Sequence, residues 1–156
     1  MRRGSSAFLS IAGNLFLIHL LFILLTIMML HLGRFSLITP FCYALVLFLV
    51  GLQLTRTLDI PPLTTLTAGY LSQLPGIIAA IFIFTRDLWP FGLEVFEFVA
   101  QIWQTPLYPL YPILPRTSYH DIPLYFLVTI IASFVLPLIT AVGSLFHYHI
   151  FPAGQD

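Results

Sequence analysis

Two carboxylates three residues apart, Glu94 and Glu97, head the residues of this chain that could do chemistry. Turned inward among apolar helices, such a pair could hold a cation or relay a proton, because acids inside a membrane are functional candidates by default. Turned to water, the same pair is a solvated helix face. A second set is spread along the chain. His19, Gln73 and Ser133 each fall near the middle of a long apolar run, with Pro75-Gly76 and Pro137 close behind the latter two. Polar groups at that depth are costly unless paired, so the three are expected to meet in one midplane cluster. Each proline removes a helical N–H and frees a carbonyl, those of Leu71 and Ser133, for which His19 and Gln73 could supply donors. Such a cluster is either interhelical glue or a substrate or proton site at broken helices.

Metal and cofactor chemistry finds little support. The five histidines include neither a Cys-x-x-Cys-His nor a His-Glu-x-x-His pattern. His31 and His120 are the pair at matched depth on different elements, as a bis-His group would need. His147 and His149 lie two apart, which on a helix turns their rings about 200° away from each other. The single cysteine, Cys42, sits in an apolar run and has no partner for an internal disulfide. Phosphate-cradling glycine loops and nucleophile elbows are missing. No metal and no cofactor are expected, and an enzyme is the less favoured class.

The elements that must position these groups follow from composition. Of the 156 residues, 59% are apolar and 8% charged, against about 25% charged in soluble chains. Balanced charge gives no electrostatic case for nucleic acid. Arginines and carboxylates punctuate four apolar runs, each near the length of about 20 residues that a bilayer requires. The predicted spans are residues 7–30, 37–54, 63–84 and 122–146. The first run is long enough to span and no small-residue cleavage site follows it, so it is read as a span rather than a leader. Pro40, Pro61-Pro62 and Pro123 fall at or near span starts, where a missing N–H costs little. The arginine pair before the first span places the N-terminus in the cytoplasm, and four spans return the C-terminus to the same side.

Between the third and fourth spans, residues 91–105 read as an amphipathic helix lying in the interface. Glu94, Glu97, Gln101 and Gln104 share one face, with Val95, Phe96, Val99, Ile102 and Trp103 opposite. A re-entrant or spanning element is the alternative, and Trp89 and Trp103 would be interfacial anchors in the first case. Residues 106–115 carry a proline at every third position and read as an extended polyproline arm of three residues per turn. Leu107, Tyr108, Leu110 and Tyr111 would then present an apolar ridge that a partner, or the chain itself, must cover. Span two, large and apolar, is expected to face lipid or a partner subunit.

The predicted architecture is an all-α polytopic membrane protein: one membrane domain over residues 1–156, with four spans, an interfacial helix and a proline-rich arm. The favoured role is a non-enzymatic accessory or scaffold subunit in a cell membrane, in contact with lipid and with another membrane protein or copies of itself. A transporter or substrate-binding subunit built on His19, Gln73 and Ser133 is the first alternative. A membrane enzyme using Glu94 and Glu97 is the second.

Overall fold

The computed structural model describes residues 2–85, 88, 94–119 and 122–150, without the side chains of residues 2–7, 119, 122 and 148–150. Residues 91–93 of the expected interfacial helix, together with Trp89, His120 and Asp121, lie outside it. Among the described residues there are six α-helices: α1 (Arg2–Leu30), α2 (Ile38–Leu58), α3 (Pro62–Ser72), α4 (Leu74–Phe84), α5 (Glu94–Trp103) and α6 (Leu124–Ile150). Short 3₁₀ segments cover Gly33–Leu37 and Thr105–Ile113. The one sheet among the described residues is a two-rung antiparallel ladder of β1 (Ser118–Tyr119) with β2 (Ile122–Pro123).

Among the described residues three stretches are long and apolar enough to cross a membrane: Phe8–Leu30, Gly33–Leu58 and Leu124–His147. The pair α3–α4, bent by 66°, passes the same test when its halves are taken together, which gives up to four. The surface is that of a chain whose solvent is hydrocarbon. Leu17, Leu21, Leu24 and Met28 stand exposed along α1, and Ile131, Leu138, Val142 and Leu145 along α6. The hydroxyls go inside. Thr26, Thr55 and Thr129 are buried and donate to the carbonyls of Phe22, Gly51 and Tyr125, one turn back in their own helices, which satisfies them without water.

The turns follow local chemistry. Gly33 takes a positive φ of 59° to leave α1, a conformation costly for residues with a Cβ. Asp59, at φ 49°, closes α2 as a left-handed cap whose N–H reaches the Thr55 carbonyl. Pro61 is extended and Pro62 opens α3, where no N–H is needed. The α3–α4 break falls at Gln73, two residues before Pro75. With no N–H to give the Leu71 carbonyl and a ring that crowds it, Pro75 ends one helix and opens the next.

Helix α2 does not face outward as a whole. Thr39, Tyr43, Leu47, Gly51 and Thr55 form a buried stripe at steps of four, and the stripe packs on α6. Gly51 and Gly143 make the crossing possible. A Cβ on Gly51 would collide with the Thr140 carbonyl, and one on Gly143 with the Phe48 carbonyl. Beside them the Thr55 and Ser144 hydroxyls are hydrogen-bonded. The expectation that this span faces lipid or a partner is therefore narrowed to one of its sides. Two glycines on facing helices let the backbones touch, and the exposed Phe41, Leu45 and Leu49 belong to its other side.

The bent pair follows α6 along its length. Thr55 ties Ile60 to the Ser144 end, Gly69 abuts Pro137, Gly76 abuts Ser133, and Ala80 and Ile83 pack with Ile130. The two halves thus continue along one helix, α6, in spite of the bend between them.

Helix α5 runs back down α4. Phe82 stacks on Phe96 at 4.1 Å, Ala100 packs with Ala79 and Ala80, and the Trp103 ring lies against Gly76. The following 3₁₀ segment climbs α6 again: Gln104 bonds Ser133, and Tyr111 bonds Thr129 one turn nearer the helix start. It also packs on α1 and α2, with Pro106 and Pro109 buried. Residues 106–113 are therefore not the extended polyproline rod expected from the sequence. Both conformations have three residues per turn and put every third residue on one face. Proline spacing alone does not separate them, and here the compact one fits between helices.

Candidate functional site

A polar network sits where the α3–α4 break meets the C-terminal end of α5. His19 is the midpoint of Phe8–Leu30 and is fully buried, as is Tyr43 from α2. Gln73, at the α3–α4 break, is 3% exposed. Trp103 ends α5. The Nε2 of His19 lies 2.8 Å from the Trp103 carbonyl oxygen. A carbonyl only accepts, so Nε2 carries the hydrogen and Nδ1 is the acceptor. It takes the Tyr43 hydroxyl at 2.6 Å and the Gln73 amide Nε2 at 3.3 Å. That amide also reaches the Tyr43 oxygen at 3.4 Å, and the indole Nε1 of Trp103 donates to Gln73 Oε1 at 2.8 Å. Every donor meets an acceptor with the imidazole neutral.

The Trp103 carbonyl needs an outside donor for a reason written in the sequence. In a 3₁₀ turn its partner would be the N–H of residue 106, and residue 106 is proline. Leu107 N–H goes instead to the Gln104 carbonyl. His19 serves this carbonyl, in place of those of Leu71 and Ser133 for which it was expected. Trp103 is buried beside Phe16 and His19, with ring centroids at 5.5 and 4.3 Å. It is not an interfacial anchor: Gly76 has no side chain, which leaves the room that the indole occupies.

Ser133 joins through Gln104, whose Nε2 donates to the serine hydroxyl at 2.7 Å. Gln104 is 1% exposed, and its Oε1 is buried without a hydrogen-bond partner. So His19, Gln73 and Ser133 do converge, linked by Tyr43, Trp103 and Gln104. Those three were not picked out from sequence as members. Tyr43 carried a signal in its place on the 43–47–51–55 stripe. Trp103 and Gln104 carried one in their position just before Pro106.

The remaining candidates lie apart from this network. Glu94 and Glu97 are exposed on α5, on the side away from α4. Leu107, Leu110 and Tyr111 are half-buried on the 3₁₀ segment and Tyr108 is 50% exposed. His31 and Cys42 are exposed. Among the described residues no three His, Cys, Asp or Glu side chains converge as a metal site would require.

Close to the network a cavity of about 10 Å³, bordered by Ser72, Gln73, Pro137 and Thr140, is the size of a single water at most. Toward the start of α6 lie larger ones, of about 330 and 390 Å³, both bordered by Tyr111 and Tyr125. Comparison with known protein families, curated proteins and solved structures finds no match.

Proposed function

We propose that this multi-pass membrane protein is a non-enzymatic accessory or scaffold subunit of a larger membrane assembly. The observation that carries the reading is an apolar rim at one end of the bundle, at and beside its two 3₁₀ segments. Leu32 and Phe35 are 57% and 66% exposed beside the first 3₁₀ turn, and Ile113 is 65% exposed at the end of the second. The two 3₁₀ segments pack on each other, so these side chains share one end of the bundle. Apolar groups gathered on loops where helices end suit a protein neighbour. The contact surface thus shifts from the Leu107–Tyr111 ridge toward the rim, because the chain covers much of that ridge itself. The closed His19 network fits a structural part: its members spend their hydrogen bonds on one another.

In this reading α5 and the 3₁₀ segment form a re-entrant hairpin. At about 1.5 and 2.0 Å per residue they are about 15 and 18 Å long, each half of a hydrocarbon core of about 30 Å, and their shared tip bonds the middle of α1. Affinity purification in a mild detergent tests the assignment. A stoichiometric membrane partner is expected with the wild type and is lost from a Phe35→Ser, Ile113→Ser double variant that still melts normally. Equal recovery with both chains would refute it.

One observation favours a second reading, a carrier: a broken span and a re-entrant tip meet at mid-depth around the unpaired Gln104 Oε1, the arrangement in which transporters place substrate. Substrate uptake that Gln104→Leu abolishes, with folding intact, would establish it.

A further inference from the structure

We propose that the cleft between the 3₁₀ segment and the start of α6 is a binding site for a single anionic phospholipid. The cleft has two parts. One, of about 330 Å³, is bordered by Gln101, Tyr108, Tyr111, Tyr125 and Phe126, and the other, of about 390 Å³, shares Tyr111 and Tyr125 with it and is bordered by Arg116. The first volume falls within the range of about 300–1,000 Å³ typical of small-ligand pockets. Its chemistry is graded. Phe126 and the tyrosine rings offer an apolar trough, and Arg116, an exposed residue, borders the second part. An amphiphile fits that gradient, with acyl chain along the rings and phosphate on Arg116, whose planar fork matches phosphate geometry.

Location selects a membrane lipid over a soluble anion. Tyr125 is the second residue of the Leu124–His147 span, so the cleft opens where the apolar flank of α6 begins, at the level where tyrosines gather in membrane proteins. The trough is also rigid. The Tyr111 hydroxyl is held by Thr129 at 2.6 Å and its ring is wedged between Tyr108 and Tyr125, with centroids at 5.5 and 5.7 Å. The arm is a short helix packed on the bundle, so this wall of the site is already in place before a ligand arrives.

The test is native mass spectrometry of the full chain in neutral detergent, titrated with phosphatidylglycerol or with phosphatidylcholine of the same acyl chains. Phosphatidylglycerol is expected to bind at one equivalent and about five-fold more tightly, the factor one interfacial arginine contributes. Arg116→Gln, at an exposed site, should melt like the wild type and lose that preference. Tyr108→Ala should weaken both lipids alike, since it removes trough and not charge. Equal binding of the two lipids by the wild type, or an unchanged preference in Arg116→Gln, would overturn the proposal. Displacement of phosphatidylglycerol by millimolar inorganic phosphate would do the same, by showing a simple anion site.

Discussion

The Nε2–H of His19 donates to the Trp103 carbonyl at 2.8 Å, and Pro106 is why that carbonyl has need of it. The bond joins the centre of the first span to the tip of a hairpin 84 residues away. Replacing His19 with Leu leaves the carbonyl and the Tyr43 hydroxyl short of a partner inside the bundle. A cost of about 1–3 kcal/mol is expected, read as a lower melting temperature in detergent. Gln at the same position, with both a donor and an acceptor, should recover part of the loss.

The role given to Pro106 makes a sharper prediction. Alanine at 106 restores an N–H that can serve the Trp103 carbonyl from within its own turn. The penalty of His19→Leu should therefore shrink in a Pro106→Ala background. A double-mutant cycle on melting free energies measures this as a coupling of about 0.5–1.5 kcal/mol. Strict additivity would show that the histidine and the proline act on different things.

Glycine contacts divide the chain into positions that tolerate a methyl group and positions that do not. Gly76→Ala would press a Cβ into the Trp103 indole and to 2.8 Å from the Ser133 hydroxyl. Gly51→Ala and Gly143→Ala would each strike backbone across the α2–α6 crossing, where nothing flexible can yield. All three should lose about 2 kcal/mol or more, by overpacking. At Gly13 an added methyl would meet nothing within 4 Å, so Gly13→Ala should be neutral or gain up to about 1 kcal/mol from helix propensity. Thermal melts of the four variants, ranked side by side, check the assignment.

What could be read in the sequence was what charge and length decide. Four runs bounded by arginines and carboxylates became three long apolar helices and one bent pair, because a polar group at a helix end has water to go to and one within it does not. The Gln73 break was legible through Pro75-Gly76, since imino chemistry acts locally. Convergence of His19, Gln73 and Ser133 was legible through cost: three polar groups at one depth need one another. The conformation of the proline run was not, because three residues per turn describes both candidates and tertiary packing chose between them. Nor was the inward place of Trp103. An indole is at home both in an interface and beside a glycine, and the glycine that receives it lies 27 positions earlier, on a different helix.

The direction of α5 separates two geometries that share one sequence pattern. In an interfacial helix Glu97 and Gln104 occupy the same polar face and the same depth, so cysteines at the two sites would meet water alike. In the hairpin Glu97 is exposed near the open end, whereas Gln104 is 1% exposed at the tip and bonded to Ser133. Cysteine substitutions at 94, 97 and 104 in a Cys42→Ser background, probed in intact vesicles with a membrane-impermeant maleimide, distinguish the two. Rapid labelling at 94 and 97 and protection at 104, by at least about ten-fold, is the expected result. The protection should vanish on denaturation, which shows that the thiol was present and merely inaccessible. Equal rates at 97 and 104 in folded protein would place the helix flat on the surface. The His19–Trp103 bond would then have no membrane depth to span, and the re-entrant hairpin would have to be abandoned.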